Sequence, residues 1–81
     1  MLDERIAVKS YSGCRAEEAP RSFILRGEEI EIAEVLDLWI EESAADRARR
    51  RFFRVLDRDG FAYKIYRDEK TEEWFLSKTG R

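Results

Sequence analysis

Histidine is absent from this sequence of 81 residues, and cysteine occurs only once, as Cys14. Histidine is the commonest general base and the commonest metal ligand, so its absence removes every Ser-His-Asp and Cys-His arrangement. One cysteine by itself forms neither an intramolecular disulfide nor a metal site. We therefore expect no enzyme activity, no metal and no cofactor. Cys14 is interpreted as an incidental reduced thiol, and the alternative is a thiol made reactive by a nearby cation.

Long hydrophobic runs and an excess of one charge are also missing. No apolar run approaches the ~18 residues that a membrane-spanning helix needs, and the first ten residues, MLDERIAVKS, lack the apolar region of a signal peptide. Sixteen basic and eighteen acidic residues leave a net charge of −2, so no overall field draws the chain to nucleic acid or to anionic lipid. The expectation is a cytoplasmic, water-soluble protein without membrane contact.

What is present suffices for one small core. Hydrophobic residues make up 43% and aromatic residues 12% of the chain, which excludes disorder even though 42% of the residues are charged. A chain of this length buries only a little over ~60% of its surface on folding. The sequence therefore predicts a single small β domain over residues 1–81.

The β prediction depends most on the last third of the chain, residues 51–78. Apolar residues alternate there in three segments that are joined by two turn signals. Opposed residues on paired strands share a face. A three-residue turn, with Gly60 in the left-handed conformation, opposes Val55 to Tyr63 and Phe53 to Ile65. A two-residue turn at Asp59-Gly60 would set Phe53 opposite Tyr66 and Val55 opposite Lys64, so burial favours the longer turn.

A second turn follows in the same stretch. A four-residue loop from Asp68 to Thr71 would set Ile65 opposite Trp74 and extend one apolar face through Phe61. The predicted core then consists of ten apolar residues from both halves of the chain: Phe23, Leu25, Ile30, Ile32, Phe53, Val55, Tyr63, Ile65, Trp74 and Leu76.

The first half of the chain predicts strands over Glu4–Ser10 and Ser22–Arg26, with Pro20 before the second strand. A two-residue turn at Gly27-Glu28 would place Leu25 opposite Ile30 and Phe23 opposite Ile32. The final strand should then be covered by the N-terminal strand or by a second copy of the chain, and we favour the N-terminal strand. The chain is accordingly expected to be a monomer or a weak homodimer.

The segment from Ile30 to Glu42 admits two interpretations. Its alternation breaks at Ala33-Glu34, which indicates either a long strand bent by a bulge or a helix near residues 33–48. The strand is favoured because the hairpins on both sides need a sheet partner. The predicted fold class is all-β, a bent antiparallel meander or small open barrel of about six strands. The alternative is an α+β fold with that helix.

Two groups of residues are candidate interaction sites. One group lies on the face opposite the predicted core and forms a candidate partner surface: Phe52, Arg54, Leu56, Lys64, Tyr66 and Phe75. The other group belongs to a basic cluster between Arg47 and Arg54 with aromatic residues beside it, a combination that binds single-stranded nucleic acid in small β-barrels. The candidate nucleic-acid contacts are Arg47, Arg49, Arg50 and Arg51.

The segments SYSG, APRSF, EVLDLW, RFFRV, DG, AYKIYRDE and EEWFL together resemble a family of small uncharacterised bacterial cytoplasmic proteins. The residues that carry this resemblance are Gly13, Pro20, Phe23, Gly27, Val35, Leu36, Asp37, Trp39, Phe53, Val55, Gly60, Tyr63, Asp68, Glu69, Trp74 and Leu76. A looser likeness extends to a domain associated with translesion-polymerase accessory proteins. Because these are mostly core and turn residues, the resemblance implies a fold more than an activity.

From the residues and the resemblance together, we interpret the chain as a non-catalytic interaction module with an unknown protein partner. The alternative, which is less favoured, is a nucleic-acid-associated accessory domain that uses the Arg47–Arg54 basic cluster.

Overall fold

The computed structural model describes residues 3–10, 20–44 and 47–77, and within them it contains six strands and no helix. The strands are β1 (Glu4–Ser10), β2 (Pro20–Leu25), β3 (Glu28–Glu42), β4 (Arg49–Asp57), β5 (Ala62–Asp68) and β6 (Trp74–Leu76). Each strand pairs antiparallel with the next, and β1 also pairs with β6, which closes the barrel. The all-β prediction and the closure by the N-terminal strand are therefore confirmed.

The β4–β5 hairpin has the predicted register. Val55 lies opposite Tyr63, and Gly60 adopts the left-handed conformation with φ 91°. The turn is held by Asp57, whose Oδ1 accepts hydrogen bonds from the backbone N–H groups of Asp59 at 2.9 Å and Phe61 at 2.8 Å. The two hydrogen bonds from turn amides explain why the Asp57 carboxylate is buried.

The β2–β3 turn lies one residue earlier than predicted, so the register of the hairpin differs from the prediction by two residues. The turn residues are Arg26 and Gly27, both with positive φ, and Phe23 therefore lies opposite Ile30. A two-residue turn of this type needs positive φ at both positions and favours glycine at the second, whereas the prediction had placed Gly27 first. The shift is an even number of residues, so the apolar side chains still share the inner face.

The β5–β6 register was also predicted wrongly by two residues. Ile65 lies opposite Leu76 rather than Trp74. The cause is Asp68, which stays in β5 instead of entering the loop, while its Oδ1 accepts a hydrogen bond from the Lys70 N–H at 2.9 Å. The loop consequently begins one residue later, and the apolar face is again preserved.

Strand β3 is bent at two places. Its register against β4 shifts between Ile32 and Glu34, which confirms the predicted bulge, and again between Val35 and Asp37, which was not predicted. Because residues 33–42 form a strand, the alternative of a helix near 33–48 is wrong over these residues. The bend lets the first part of β3 pair with β2 and the remainder pair with β4.

The core fills the inside of the barrel. Its buried members are Ile6, Phe23, Phe53, Val55 and Ile65, and the partly buried residues packed against them are Val8, Leu25, Ile30, Ile32, Tyr63, Trp74 and Leu76. All ten predicted core residues belong to this set. The prediction was wrong for Phe61, which is 63% exposed because it lies in the β4–β5 turn.

Candidate interaction surface

Four aromatic rings cross the outer face of the sheet from β3 to β6, and we call them the aromatic ladder: Trp39, Phe52, Tyr66 and Phe75. Neighbouring members lie opposite one another in the strand register. The successive ring centroids are 5.4, 4.8 and 5.2 Å apart, which is contact distance for aromatic pairs. Alternation places Phe52, Tyr66 and Phe75 opposite the core, as the sequence indicated. The β3–β4 register adds Trp39, which was not predicted on this face.

The chain itself covers the centre of the aromatic ladder. Phe52 and Tyr66 are each only 8% exposed, and Lys64 Nζ lies 5.4 Å from the Phe52 ring centroid. The Tyr66 hydroxyl donates a hydrogen bond to Asp3 Oδ2 at 2.5 Å. Burial raises the pKa of Tyr66, and the Asp3 carboxylate raises it further. The middle of the ladder is therefore a second, outer packing layer.

The predicted partner surface is accordingly accessible only at its rim. Arg54 is exposed, whereas Leu56, Lys64 and Phe75 are half-buried beside the buried Phe52 and Tyr66. All six residues lie on strands β4 to β6. A partner would meet the cationic groups and the edges of rings there rather than an open apolar patch.

The predicted basic cluster is divided by the strand geometry. Arg49, Arg50 and Arg51 are consecutive in β4, so their side chains alternate between the two faces of the sheet. Arg47 precedes the strand and is exposed, with φ 60°. The structure therefore does not bring these four side chains together in one groove.

The arginines of β4 also meet acidic residues. Glu42 lies opposite Arg49 and Glu41 opposite Arg50 in the register. Arg51 Nε lies 3.2 Å from Glu69 Oε2. Neighbouring carboxylates thus offset part of the positive charge that nucleic acid would require.

A more open surface lies on the second part of β3, and sequence reasoning missed it. Four large apolar side chains within six consecutive residues are exposed: Val35 at 37%, Leu36 at 41%, Leu38 at 56% and Ile40 at 50%. We call the segment from Ala33 to Glu42 the β3 edge. The useful signal in the sequence was the length of the apolar segment in β3. It continues past the residues that the shorter strand β2 can pair with.

The β3 edge has a strand partner on one side only, as far as the described residues show. Pairing of β2 with β3 ends where Ser22 lies opposite Glu31. Strand β2 starts at Pro20, which pairs with Ser10 of β1 and, as a proline, has no N–H to donate. From Ala33 onward, β3 is therefore paired with β4, and no described strand lies along its other side.

The hydrogen-bond alternation shows which backbone groups face this open side. The Ser43 N–H donates to the Ala48 carbonyl at 2.9 Å, so Ser43 turns its backbone groups toward the β4 side. Along an antiparallel strand, alternate residues turn these groups to opposite sides. Leu38, Ile40 and Glu42 therefore direct their N–H and C=O groups away from β4.

A groove of about 750 Å³ opens where β2 separates from β3. Its lining includes Pro20 and Ser22 on one side and residues 31–35 of β3 on the other. The Ser22 hydroxyl donates to Glu29 Oε2 at 3.0 Å, and Lys9 Nζ lies 3.4 Å from the same oxygen. These contacts lower the pKa of Glu29, Ser22 having the larger effect. The groove joins the beginning of the β3 edge.

Strands β3 and β4 carry opposite charge. Strand β3 (EEIEIAEVLDLWIEE) contains seven acidic and no basic residues, whereas β4 (RRRFFRVLD) contains four arginines and one aspartate. Asp37 Oδ2 lies 3.5 Å from Arg54 Nη2 across the pair. The open side of β3 therefore presents apolar and acidic groups together.

Residues 3–10, 20–44 and 47–77 contain no group of three or more His, Cys, Asp or Glu side chains arranged to hold a metal ion. The same ranges contain no helix with the length and apolar character to span a membrane. Cys14 lies outside the described residues.

Comparison with known proteins identifies a family but no activity. No curated protein and no solved structure matches the chain significantly. The model of a family described as a domain of unknown function, DUF6504, matches residues 1–80. Because the match spans nearly all of the 81 residues, the chain belongs to the DUF6504 family.

Proposed function

We propose that the domain is a non-catalytic protein-interaction module and that its docking surface is the β3 edge. The observation that carries this proposal is the run of exposed apolar side chains from Val35 to Ile40 on a strand whose second side has no described partner. Contiguous exposed apolar surface beside a polar rim is typical of protein-binding sites. Without a partner, about half of the surface of Leu38 and Ile40 stays exposed to water.

Three polar side chains support a non-catalytic role because they hold turns or strands in the structure. Asp57 and Asp68 accept backbone hydrogen bonds in the two last turns. The Tyr66 hydroxyl is bound to Asp3. We place the module in the bacterial cytoplasm, as the family resemblance of the sequence implies.

The nucleic-acid alternative has less support. Its arginines alternate between faces and meet Glu41, Glu42 and Glu69, and the aromatic rings nearest to them pack against one another. Stacking with bases needs free ring faces, and phosphate binding needs unneutralised cations. A protein partner for the β3 edge accounts for the exposed apolar groups, which nucleic acid would not.

The test is affinity capture from the native cytoplasm at moderate salt after nuclease treatment, with three forms of the domain. Leu38→Lys places a charge in the proposed docking surface, and Phe61→Lys places the same charge on an exposed ring at the far end of β4. We expect the parent and Phe61→Lys to retain the same proteins and Leu38→Lys to lose them. Circular dichroism confirms that all three forms are folded.

Retention of identical proteins by all three forms would show that the β3 edge is not the docking surface. Retention that disappears with nuclease would favour the nucleic-acid alternative. That alternative also predicts affinity for mixed-sequence single strands that falls steeply with salt and is lost when Arg49, Arg50 and Arg51 become alanine.

A further inference from the structure

We propose that the β3 edge binds an extended segment of the partner in which basic residues alternate with apolar ones, and that this segment pairs with β3 as an added strand. This inference rests on the proposed function and specifies its ligand. Strand addition to an exposed sheet edge is a recurrent mode of peptide recognition, in which the backbone supplies affinity and the alternate side chains supply specificity.

The backbone of the β3 edge is arranged for this pairing. Leu38, Ile40 and Glu42 turn their N–H and C=O groups toward the open side, as the Ser43–Ala48 hydrogen bond and strand alternation require. No described strand pairs with these groups, and they occur on the same segment as the exposed apolar side chains. An incoming strand would therefore gain hydrogen bonds and apolar contacts from the same few residues.

The chemistry of the incoming strand is indicated by the strand that already occupies the other side of β3. On the outer face, Asp37 lies opposite Arg54 and Glu41 lies opposite Arg50. On the other face, Leu38 lies opposite Phe53, Ile40 lies opposite Arg51 and Glu42 lies opposite Arg49. Cross-strand pairs of opposite charge and of apolar groups stabilise a sheet. A partner strand with arginine or lysine opposite Asp37 and Glu41, and with apolar residues opposite Leu38 and Ile40, therefore complements the open side.

A second copy of the chain fits this side poorly. The β3 edge carries Glu34, Asp37, Glu41 and Glu42 and no basic residue. Two copies paired edge to edge would bring these carboxylates together, and like charges on adjacent strands are destabilising. Glu34 lies opposite the apolar Leu56 and forms no ion pair with any described residue, so no described cation offsets its charge.

The groove at the start of the edge supplies room for the end of the added strand. Pro20 and Ser22 form one wall, and Ala33 to Val35 form the other. Strand β2 stops pairing with β3 beside this groove. An added strand would thus continue the sheet from the place where β2 leaves it.

The inference is tested with a fluorescent synthetic peptide in which arginine alternates with valine, measured by anisotropy against the full chain. Two control peptides accompany it: one with glutamate in place of arginine, and one with alternate backbone nitrogens methylated. We expect each control to bind at least tenfold more weakly. Affinity of the arginine peptide should fall as salt rises.

Variants of the domain locate the site. Ile40→Pro removes an N–H that faces the open side and keeps the hydrogen bonds to β4 intact. An edge strand accommodates proline at such a position. We expect this variant to bind the arginine peptide at least tenfold more weakly than the parent does. Ile40→Lys serves as a second variant if the proline variant fails to fold, and Phe61→Lys should leave the affinity unchanged.

The outcomes separate this inference from the proposed function. If Leu38→Lys loses its captured proteins while the three peptides bind equally or not at all, the added-strand inference is wrong and the interaction module stands. If the amides of Leu38 and Ile40 are strongly protected from hydrogen exchange without peptide in a monomer, the chain covers its own edge and the inference is wrong. A dimer through this edge would also overturn it.

Discussion

Tyr66 in the middle of β5 is hydrogen-bonded to Asp3, 63 residues earlier, through its hydroxyl and Asp3 Oδ2 at 2.5 Å. The bond lies on the outside of the barrel, next to the ring contact between Tyr66 and Phe75. It therefore fastens the beginning of the chain over the aromatic ladder. The same part of the chain enters β1, which closes the barrel against β6.

We predict that Tyr66→Phe lowers the free energy of unfolding by about 1.5 kcal/mol, the lower range for a hydrogen bond to a charged group. The ring and its stacking remain in phenylalanine, so the loss reports the hydroxyl alone. Urea denaturation measures it. A double-mutant cycle with Asp3→Asn should show that the two changes are not additive, and strict additivity would mean that the bond contributes nothing in solution.

The raised pKa of Tyr66 predicts a loss of stability in alkali. The unfolded chain releases the tyrosine proton near the ordinary pKa of about 10, whereas the buried hydroxyl beside Asp3 retains it. Between those two values the unfolded state binds fewer protons, so the stabilisation is complete below pH ~10 and declines above it.

The measurement is the melting temperature from pH 8 to 11 for the parent and for Tyr66→Phe. We expect a shallower decline in the variant. Some decline should remain, because burial and then Asp57 raise the pKa of Tyr63 in the same direction. Parallel curves for the two proteins would contradict the assignment to Tyr66.

The turn between β2 and β3 predicts a stabilising substitution. Arg26 has φ 53° and precedes Gly27, which has φ 83°. Asparagine tolerates this conformation better than arginine, and Asn-Gly is the preferred pair for such a turn. We expect Arg26→Asn to raise the free energy of unfolding by about 0.5 kcal/mol, within the usual range for such changes.

The matched control at the same turn is Gly27→Ala. Open space surrounds the position where its Cβ would lie, so only the positive φ opposes the change. We expect a loss of about 1 kcal/mol. If both substitutions leave the denaturation midpoint unchanged, the turn does not lie at Arg26-Gly27, and the earlier register with Gly27-Glu28 would need to be reconsidered.

Truncating a core side chain should lower the free energy of unfolding more when that side chain is more deeply buried. Phe23 is fully buried and contacts Tyr63 edge to face at 5.3 Å between centroids, whereas Trp74 is only half-buried. We expect Phe23→Ala to cost about 3–5 kcal/mol, close to the total stability of so small a domain, and Trp74→Ala to cost less. Thermal denaturation measures both. A larger loss at Trp74 would contradict the order of burial.

Alternation predicted which residues share a face, and that part of the fold was obtained from the sequence. The β2–β3 and β5–β6 registers were each wrong by two residues, yet Leu25, Ile30, Trp74 and Leu76 still packed against the core. An even shift changes the opposed partner but not the face. The exact register depended on turn details such as the Asp68 side chain, which propensity alone does not determine.

The bulge near Ala33 was predictable because the apolar phase changes there, and the second bulge near Leu36 was not. In the sequence, Val35 and Leu36 are consecutive apolar residues that a helix or a bent strand explains equally. This segment is open on one side because β2 stops pairing with β3 before it, at Ser22 and Glu31. That endpoint is a property of the three-dimensional pairing, so the apolar run pointed to the segment but did not show that one side of it is open.

The acidic residues of the β3 edge predict that the chain stays monomeric. Like charges discourage an exposed edge from pairing with another copy. We expect the double variant Asp37→Asn, Glu41→Gln to self-associate in light scattering at concentrations where the parent is a monomer. Adding Ile40→Lys to that variant should restore the monomer, since it returns a charge to the same edge.

The matched control neutralises two exposed carboxylates elsewhere, as Glu28→Gln with Glu72→Gln. It changes the net charge by the same amount but leaves the β3 edge acidic, so it should remain monomeric like the parent. Association of both double variants would assign the effect to net charge rather than to the edge. A parent that is already a dimer, with Leu38 and Ile40 protected from hydrogen exchange, would show that the carboxylates do not prevent pairing and that a second copy occupies the edge.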